Sequence, residues 1–226
     1  MRKNIIGITG HAGHGKDTLA RALAAELGDS ATLGFADPIR SIADALGLDV
    51  FDREKKESRA SLRFEHFELA LVDAMVHQLG AFVGEDDLCD LYAEFVTTLR
   101  GRGFLTTGRQ DVLKISPRRF CQLLGTEGGR AIRPSFWVDV FRARAAKSRA
   151  RYVLAPDVRY VNEAVACDLL IGIHRPAVLP VRDHGSEKEI TALVWRADTV
   201  FYNDGGLALL GRYAKVVAEG IKEGRL

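Results

Sequence analysis

Cysteine is scarce in this chain: Cys89, Cys121 and Cys167 are odd in number and far apart. Such a set supports neither a disulfide framework nor a zinc site. Long apolar runs are missing as well, since no stretch reaches the roughly eighteen residues that a membrane span needs. Neither sign of charge dominates: 32 Lys and Arg against 30 Asp and Glu leave a net charge of +2. That balance excludes a protein held to nucleic acid or to a membrane mainly by bulk charge. There is no internal repeat, no low-complexity tract and no Pro/Gly/Ser linker. What is present is 226 residues, 47% of them apolar, enough for one substantial core. Ahead of the first glycine-rich stretch stands only Ile5-Ile6-Gly7-Ile8, too short for a signal peptide, so a soluble cytoplasmic protein is expected.

The apolar pattern sets a rhythm. Asn4 to Thr9 reads as a buried parallel strand. After a glycine-rich turn, Leu19, Leu23 and Leu27 trace one face of a helix that Gly28 ends. Ala31 to Phe35 reads as a second strand. Asp37-Pro38 then opens a helix, with Asp37 as N-cap and Pro38 where its missing N–H costs nothing. From about Phe51 to Ser135 the rhythm breaks into a mostly helical insertion. It has helices over 62–83 and 88–99, a flexible point at Gly101-Arg102-Gly103, and a helix from Ser116-Pro117 that stops at Gly125. Ser135 caps a helix carrying Trp137, Phe141 and Ala145. The alternation returns with a strand at 152–155, a helix near 162–167, a strand at 169–173, an irregular polar stretch over 174–197, a strand at 198–202 and a C-terminal helix. The expectation is one α/β domain over 1–226 with a central, mostly parallel five-stranded sheet. Residues 1–50 and 135–226 form its core, 51–134 a helical substrate-side insertion and 174–197 a lid.

The strongest chemical signal is Gly10-His11-Ala12-Gly13-His14-Gly15-Lys16-Asp17-Thr18. It follows the first strand directly and precedes the first helix, as a phosphate-binding loop should. Glycines let successive N–H groups point into one concavity, the helix N-terminus adds partial positive charge, and Lys16 can bridge the outer phosphates. The plain alternative is an ordinary glycine-rich turn. The generic loop has Ser or Thr after the lysine to hold magnesium, whereas here Asp17 stands there and Thr18 follows. His11 and His14, with no third ligand in view, read as loop side chains. Asp157, at the end of the strand 152–155, can hold magnesium or a substrate hydroxyl, or can cap the helix that follows.

Arginine binds phosphate oxygens two at a time through its planar fork. Arg40 lies in the first turn of its helix, against the dipole; Arg130 follows three glycines in six residues; Arg159 lies two residues after Asp157. Each alone reads as a surface arginine, and as a set they point to an anionic ligand. The basic run from Arg142 to Arg151 does not fall on one helix face and has no interleaved aromatics, so it reads as solvated surface rather than a nucleic-acid site. The long polar stretch holding Arg175, Arg182, His184 and Arg196 reads as a mobile lid over a plain solvated loop.

Taken in order, these motifs resemble the deoxynucleoside monophosphate kinases of phages and prophages. Gly15-Lys16-Asp17-Thr18 is similar to that family's own phosphate loop. Phe35-Ala36-Asp37-Pro38-Ile39-Arg40, Leu124-Gly125-Thr126-Glu127-Gly128-Gly129-Arg130 with Trp137, Asp157-Val158-Arg159-Tyr160-Val161-Asn162-Glu163, His184-Gly185-Ser186-Glu187 and Asn203-Asp204-Gly205 resemble its later motifs. Together they run from Ile5 to Gly205, while Phe51 to Leu105 carries none. The resemblance implies a P-loop NTPase-like three-layer fold and transfer of the γ-phosphate of ATP, with magnesium, to a deoxynucleoside monophosphate. It further implies that Lys16, Arg175 and Arg182 are catalytic. Gly10, Gly13, His14, Gly15, Lys16, Asp17, Thr18, Asn203 and Gly205 would bind ATP. Asp37, Arg40, Glu127, Arg130, Trp137, Asp157, Arg159 and Glu187 would bind the acceptor, and Asp17, Thr18 and Asp157 the metal.

A small-metabolite kinase on the same scaffold, resembling dephospho-coenzyme A kinase, is the competing enzyme. A guanine-nucleotide switch would carry an Asn-Lys-x-Asp motif, which this sequence lacks, and a nucleic-acid motor would need a basic stripe. The expected partner is therefore a nucleotide substrate, with no nucleic acid and no membrane, and a homodimer is compatible with the sequence.

Overall fold

The computed structural model describes residues 4–52, 55–178 and 185–226, the side chains of 185–188 excepted. It divides into two compact units, one formed by the chain up to Phe35 together with Phe141 onward, the other by Ala36–Val140. The first unit is built on a five-stranded sheet of β1 (Asn4–Thr9), β2 (Ser30–Thr32), β6 (Tyr152–Val158), β7 (Leu169–His174) and β8 (Thr199–Tyr202). The spatial order is β2-β6-β1-β7-β8 and every pairing is parallel. Strands covered on both faces read as continuous apolar runs, and Tyr152 to Ala155 are all buried. β1 is the point at which successive strands change sides, the usual position for a ligand crevice in such sheets.

Alternation along the strands assigns the two helical layers. Ile171 and Ile173 join Ile6, Ile8 and Leu154 in a core with Leu19 and Leu23 of α1 (Lys16–Leu27) and Leu210, Ala214 and Val217 of α9 (Gly206–Lys222). Gly172, pointing the other way, lies under α8 (Gly185–Arg196): a Cβ there would sit 2.6 Å from the Val194 carbonyl oxygen. The short α7 (Val161–Ala164) connects β6 to β7. The fold is a three-layer α/β arrangement of the P-loop NTPase kind. It differs from the expected irregular stretch over 174–197, because much of that stretch is α8. Ile190, Leu193 and Val194, buried at i, i+3 and i+4, supply the helical periodicity among otherwise polar neighbours.

The second unit contains α2 (Asp37–Ala45), α3 (Phe67–Leu79), α4 (Glu85–Gly101), α5 (Pro117–Leu123) and the beginning of α6 (Phe136–Lys147). It is less purely helical than expected. β3 (Ala60–Phe64), β4 (Leu105–Thr106) and β5 (Asp111–Ile115) form a three-stranded antiparallel sheet in the order β3-β5-β4. The expected helix over 62–83 therefore starts only at Phe67; alternating burial at Ala60, Leu62 and Phe64 is a strand period. Gly101-Arg102-Gly103 is a closed helix end rather than a loose link. Gly103 has φ 68°, its N–H donates to the Arg100 carbonyl, and Phe104 N–H donates to Leu99, the pattern of a glycine-stopped helix. Nor does Gly125 end a helix: α5 continues into a π-helical turn over Leu124–Arg130. Asp37 proves to be the first helical residue of α2, with Ala36 as the cap, and its carboxylate accepts from Arg40 Nη1 at 3.1 Å. Among the described residues no helix is long and apolar enough to cross a membrane.

Candidate nucleotide site

β1 delivers the chain to the carboxyl edge of the sheet at Thr9, whose Oγ1 is buried and has no partner among the described residues. The glycines that follow are needed for different reasons. Gly13 and Gly15 have φ of 80° and 102°, in the left-handed region. Gly10 has no room for a side chain, because a Cβ would sit 2.6 Å from the Ile173 carbonyl oxygen. Gly15 is the N-cap of α1 and no side chain caps that helix, so its first-turn N–H groups keep the donor character that attracts anions. Lys16 Nζ lies across the mouth of the loop and donates to the carbonyls of Gly10 (2.7 Å) and His11 (2.9 Å). Asp17 is exposed in the first turn, where a carboxylate suits the helix dipole, and Thr18 is half-buried.

Neighbouring elements hold this loop from outside. Asn203, buried at the end of β8, donates from Nδ2 to the His14 carbonyl at 2.9 Å. Its backbone N–H donates to His174. Gly205 caps α9, and a Cβ on it would press within 2.8 Å of Leu209. His14, 1% exposed, places Nδ1 3.3 Å from the Arg175 N–H nitrogen and Nε2 3.3 Å from the Val178 carbonyl oxygen. Burial pushes its pKa below the ordinary 6.5, against the raising effect of its backbone bonds to Ile173 and Val178. His11 Nε2 lies 3.0 Å from Thr191 Oγ1 on α8. The sequence pattern read His11 only as a loop side chain and did not single out His174 or Thr191, because their grouping is made by the sheet and not by spacing along the chain.

Asp157 sits on β6 opposite the end of β1, where the register slips between Gly7 and Thr9. Two residues of β6, Pro156 and Asp157, stand opposite the single Ile8, a bulge that re-aims a side chain. The Asp157 carboxylate accepts the Phe35 N–H at 2.8 Å. It is not the cap of the following helix. The N-cap is Tyr160, and Glu163, 3% exposed, reaches back from the third helical position so that its Oε2 accepts from the backbone of Arg159 (2.8 Å) and Tyr160 (3.2 Å). Arg159 and Arg175 are exposed. Arg182 and the side chain of Glu187 lie outside the described residues.

In the second unit, Arg40 pairs with Asp37, and Glu127 and Arg130 belong to the π-helical turn. Glu127 Oε1 accepts from Arg102 at 2.9 Å, while Oε2 is buried without a partner among the described residues. Single π turns inside α-helices occur often at functional sites. Trp137 is buried beneath this turn and donates its indole N–H to the Gly125 carbonyl at 2.8 Å. A Cβ on Gly129 would come within 2.6 Å of that same indole nitrogen. Thus Lys16, Asp17, Thr18, Asp157, Arg175 and Asn203 belong to one unit, and Arg40, Glu127, Arg130 and Trp137 to the other.

The donor set suits a nucleotide. The loop offers a lysine ammonium, uncapped helix N–H groups and a threonine hydroxyl. No cluster of three or more His, Cys, Asp or Glu could hold a metal among the described residues. Magnesium bound with a nucleotide does not need one, since phosphate oxygens and water fill most of its octahedron. Compared with known proteins, the chain matches no family model, and no curated protein matches its sequence.

Proposed function

We propose that this chain is an ATP-dependent phosphotransferase whose acceptor is a deoxynucleoside monophosphate. The observation that carries the reading is the loop after β1: two left-handed glycines, an uncapped helix N-terminus and a lysine lying across the loop mouth. In this reading the N–H groups of the loop and of the first turn of α1 bind the phosphates of ATP, and Lys16 exchanges its bonds to Gly10 and His11 for phosphate oxygens. Thr18, Asp17 and Asp157 are the oxygen ligands available to magnesium, which when bound neutralises charge between the outer phosphates. Arg175 and Arg182 add positive charge at the transferring group. Phosphoryl transfer asks a protein mainly for positioning and electrostatics, so no nucleophilic side chain is required.

For the acceptor, Arg40 and Arg130 are the phosphate-binding forks, and Glu127 Oε2 is an acceptor seeking a hydroxyl or amino donor. Arg159, Asp37, Trp137 and Glu187 complete the proposed acceptor set, Trp137 as the support beneath the π-helical turn. The preference for deoxynucleotides rests on the resemblance of motifs alone. The test is ADP release from MgATP with each deoxy- and ribonucleoside monophosphate in turn. Stimulation by one or more deoxynucleoside monophosphates is expected. Stimulation only by a non-nucleotide alcohol such as a dephospho-cofactor would transfer the assignment to a small-metabolite kinase.

A further inference from the structure

Around the phosphate loop lies a group of imidazoles for which phosphate binding gives no reason. The His11 and His14 rings are 5.3 Å apart and His14 and His174 5.6 Å apart, both pairs edge to face. His11 and His14 are buried and belong to the loop; His174 ends β7. Beyond His174 the chain turns back at once through Arg175-Pro176-Ala177-Val178, closed by Val178 N–H donating to the Arg175 carbonyl at 3.0 Å. The His14 ring touches both ends of that turn.

A neutral imidazole has one donor and one acceptor. The tautomer with hydrogen on Nε2 uses both here: Nε2–H donates to the Val178 carbonyl and Nδ1 accepts from the Arg175 N–H. The other tautomer would donate to the Ile173 carbonyl, 3.2 Å from Nδ1, and leave the turn without either bond. A protonated ring would do the same at Nδ1, opposing its own N–H to that of Arg175. We infer that His14 is a positioning residue, which as the neutral Nε2–H tautomer fastens the turn carrying Arg175 to the phosphate loop and so presets both for the nucleotide. This rests on the reading of the loop as an ATP site. His11 extends the fastening to α8 through Thr191.

The groups facing His14 are His11 from its own loop, His174 from β7, the Arg175 N–H and the Ile173 and Val178 carbonyls from the chain leaving β7, and the Asn203 amide, which holds the His14 backbone. The charges acting on the ring come from His11 and His174, and both oppose its protonation, as burial does. Its pKa is thus below 6.5, and the neutral ring persists through neutral pH. As pH falls through the lowered pKa, the link to Arg175 is lost.

The test is ATP binding, measured by calorimetry on the full chain and on three variants. His14→Asn keeps an acceptor where Nδ1 stands but does not titrate. His14→Gln keeps a donor near Nε2, and His14→Ala keeps neither. Loss of hydrogen bonds of ordinary strength predicts ATP affinity about tenfold weaker for His14→Ala. His14→Asn should restore most of it and His14→Gln less. The ratio of the His14→Asn to the wild-type dissociation constant cancels titration of the nucleotide itself, and it should fall as pH drops below the ordinary histidine range. Thermal melts of all four proteins without nucleotide show whether each is folded. Equal affinity across the four, or a ratio independent of pH, overturns the inference and leaves the nucleotide site standing. Absence of ATP binding by the wild type overturns both.

Discussion

Removing the Lys16 ammonium should cost about 3 kcal/mol of transition-state stabilisation, roughly a hundredfold in kcat, by analogy with other oriented donors in reaction centres. The side chain donates to two loop carbonyls, those of Gly10 and His11, and takes no place in the apolar core. A Lys16→Ala variant should therefore melt near the wild-type temperature while losing turnover, as steady-state kinetics and a melting curve would show together. Lys16 and its glycines were legible in the sequence because their spacing along the chain is itself the chemistry. The surroundings of His14 and Asn203 were not. Both residues fell within motifs, yet the Ile173 carbonyl beside the His14 ring and the His14 carbonyl that Asn203 holds lie 159 and 189 residues away along the chain, and only the parallel order of β1, β7 and β8 brings them near. Asp157 shows the same limit: its position at a strand end was readable, its bond to Phe35 was not.

Elements were legible where periodicity was strong and terminal residues decisive. α1 with Gly28 and α5 with Ser116, whose Oγ accepts the Arg119 N–H at 3.3 Å, are of that kind. They were illegible where three buried residues had to speak for a helix, as in α8, or where a helix changed pitch at 124–130. The packing of α8 gives a test with two signs. Gly172→Ala would place a methyl carbon 2.6 Å from the Val194 carbonyl oxygen, a backbone atom unable to swing aside. Overpacking of that kind costs about 2 kcal/mol, a fall of roughly 4–8 °C in Tm for a chain of this size. Gly211, inside α9, has open space around the same methyl position. There Gly211→Ala should be neutral or stabilise by up to about 1 kcal/mol through helix propensity. Melting both variants beside the wild type checks the layer assignment, and equal Tm values would contradict it.

At the scale of the whole molecule, the layered α/β fold followed from alternating apolar strands and helices; β1, β6, β7 and β8 lie on the short runs read as strands, whereas β2 covers only Ser30–Thr32 of the expected neighbourhood of 31–35. The small antiparallel sheet of the second unit escaped because β4 is only two residues long and the alternation of β3 at Ala60, Leu62 and Phe64 runs straight into the apolar pattern of α3 from Phe67. The thiols report on both units at once. Burial pushes the Cys121 pKa up to about 11 and that of Cys167 up to about 12, whereas Cys89 is exposed on α4. Since the thiolate is the reactive form, a disulfide reagent at neutral pH should titrate one thiol per native chain and all three in denaturant. Three fast thiols in the native protein would mean that neither core is closed. The central claim is the transfer itself, and phosphorus NMR follows it atom by atom. With MgATP and a mixture of deoxynucleoside monophosphates, the γ-phosphate should appear as the β-phosphate of a deoxynucleoside diphosphate with the wild-type chain and not with Lys16→Ala. Release of that phosphate only as inorganic phosphate, or its retention in ATP, would contradict the account.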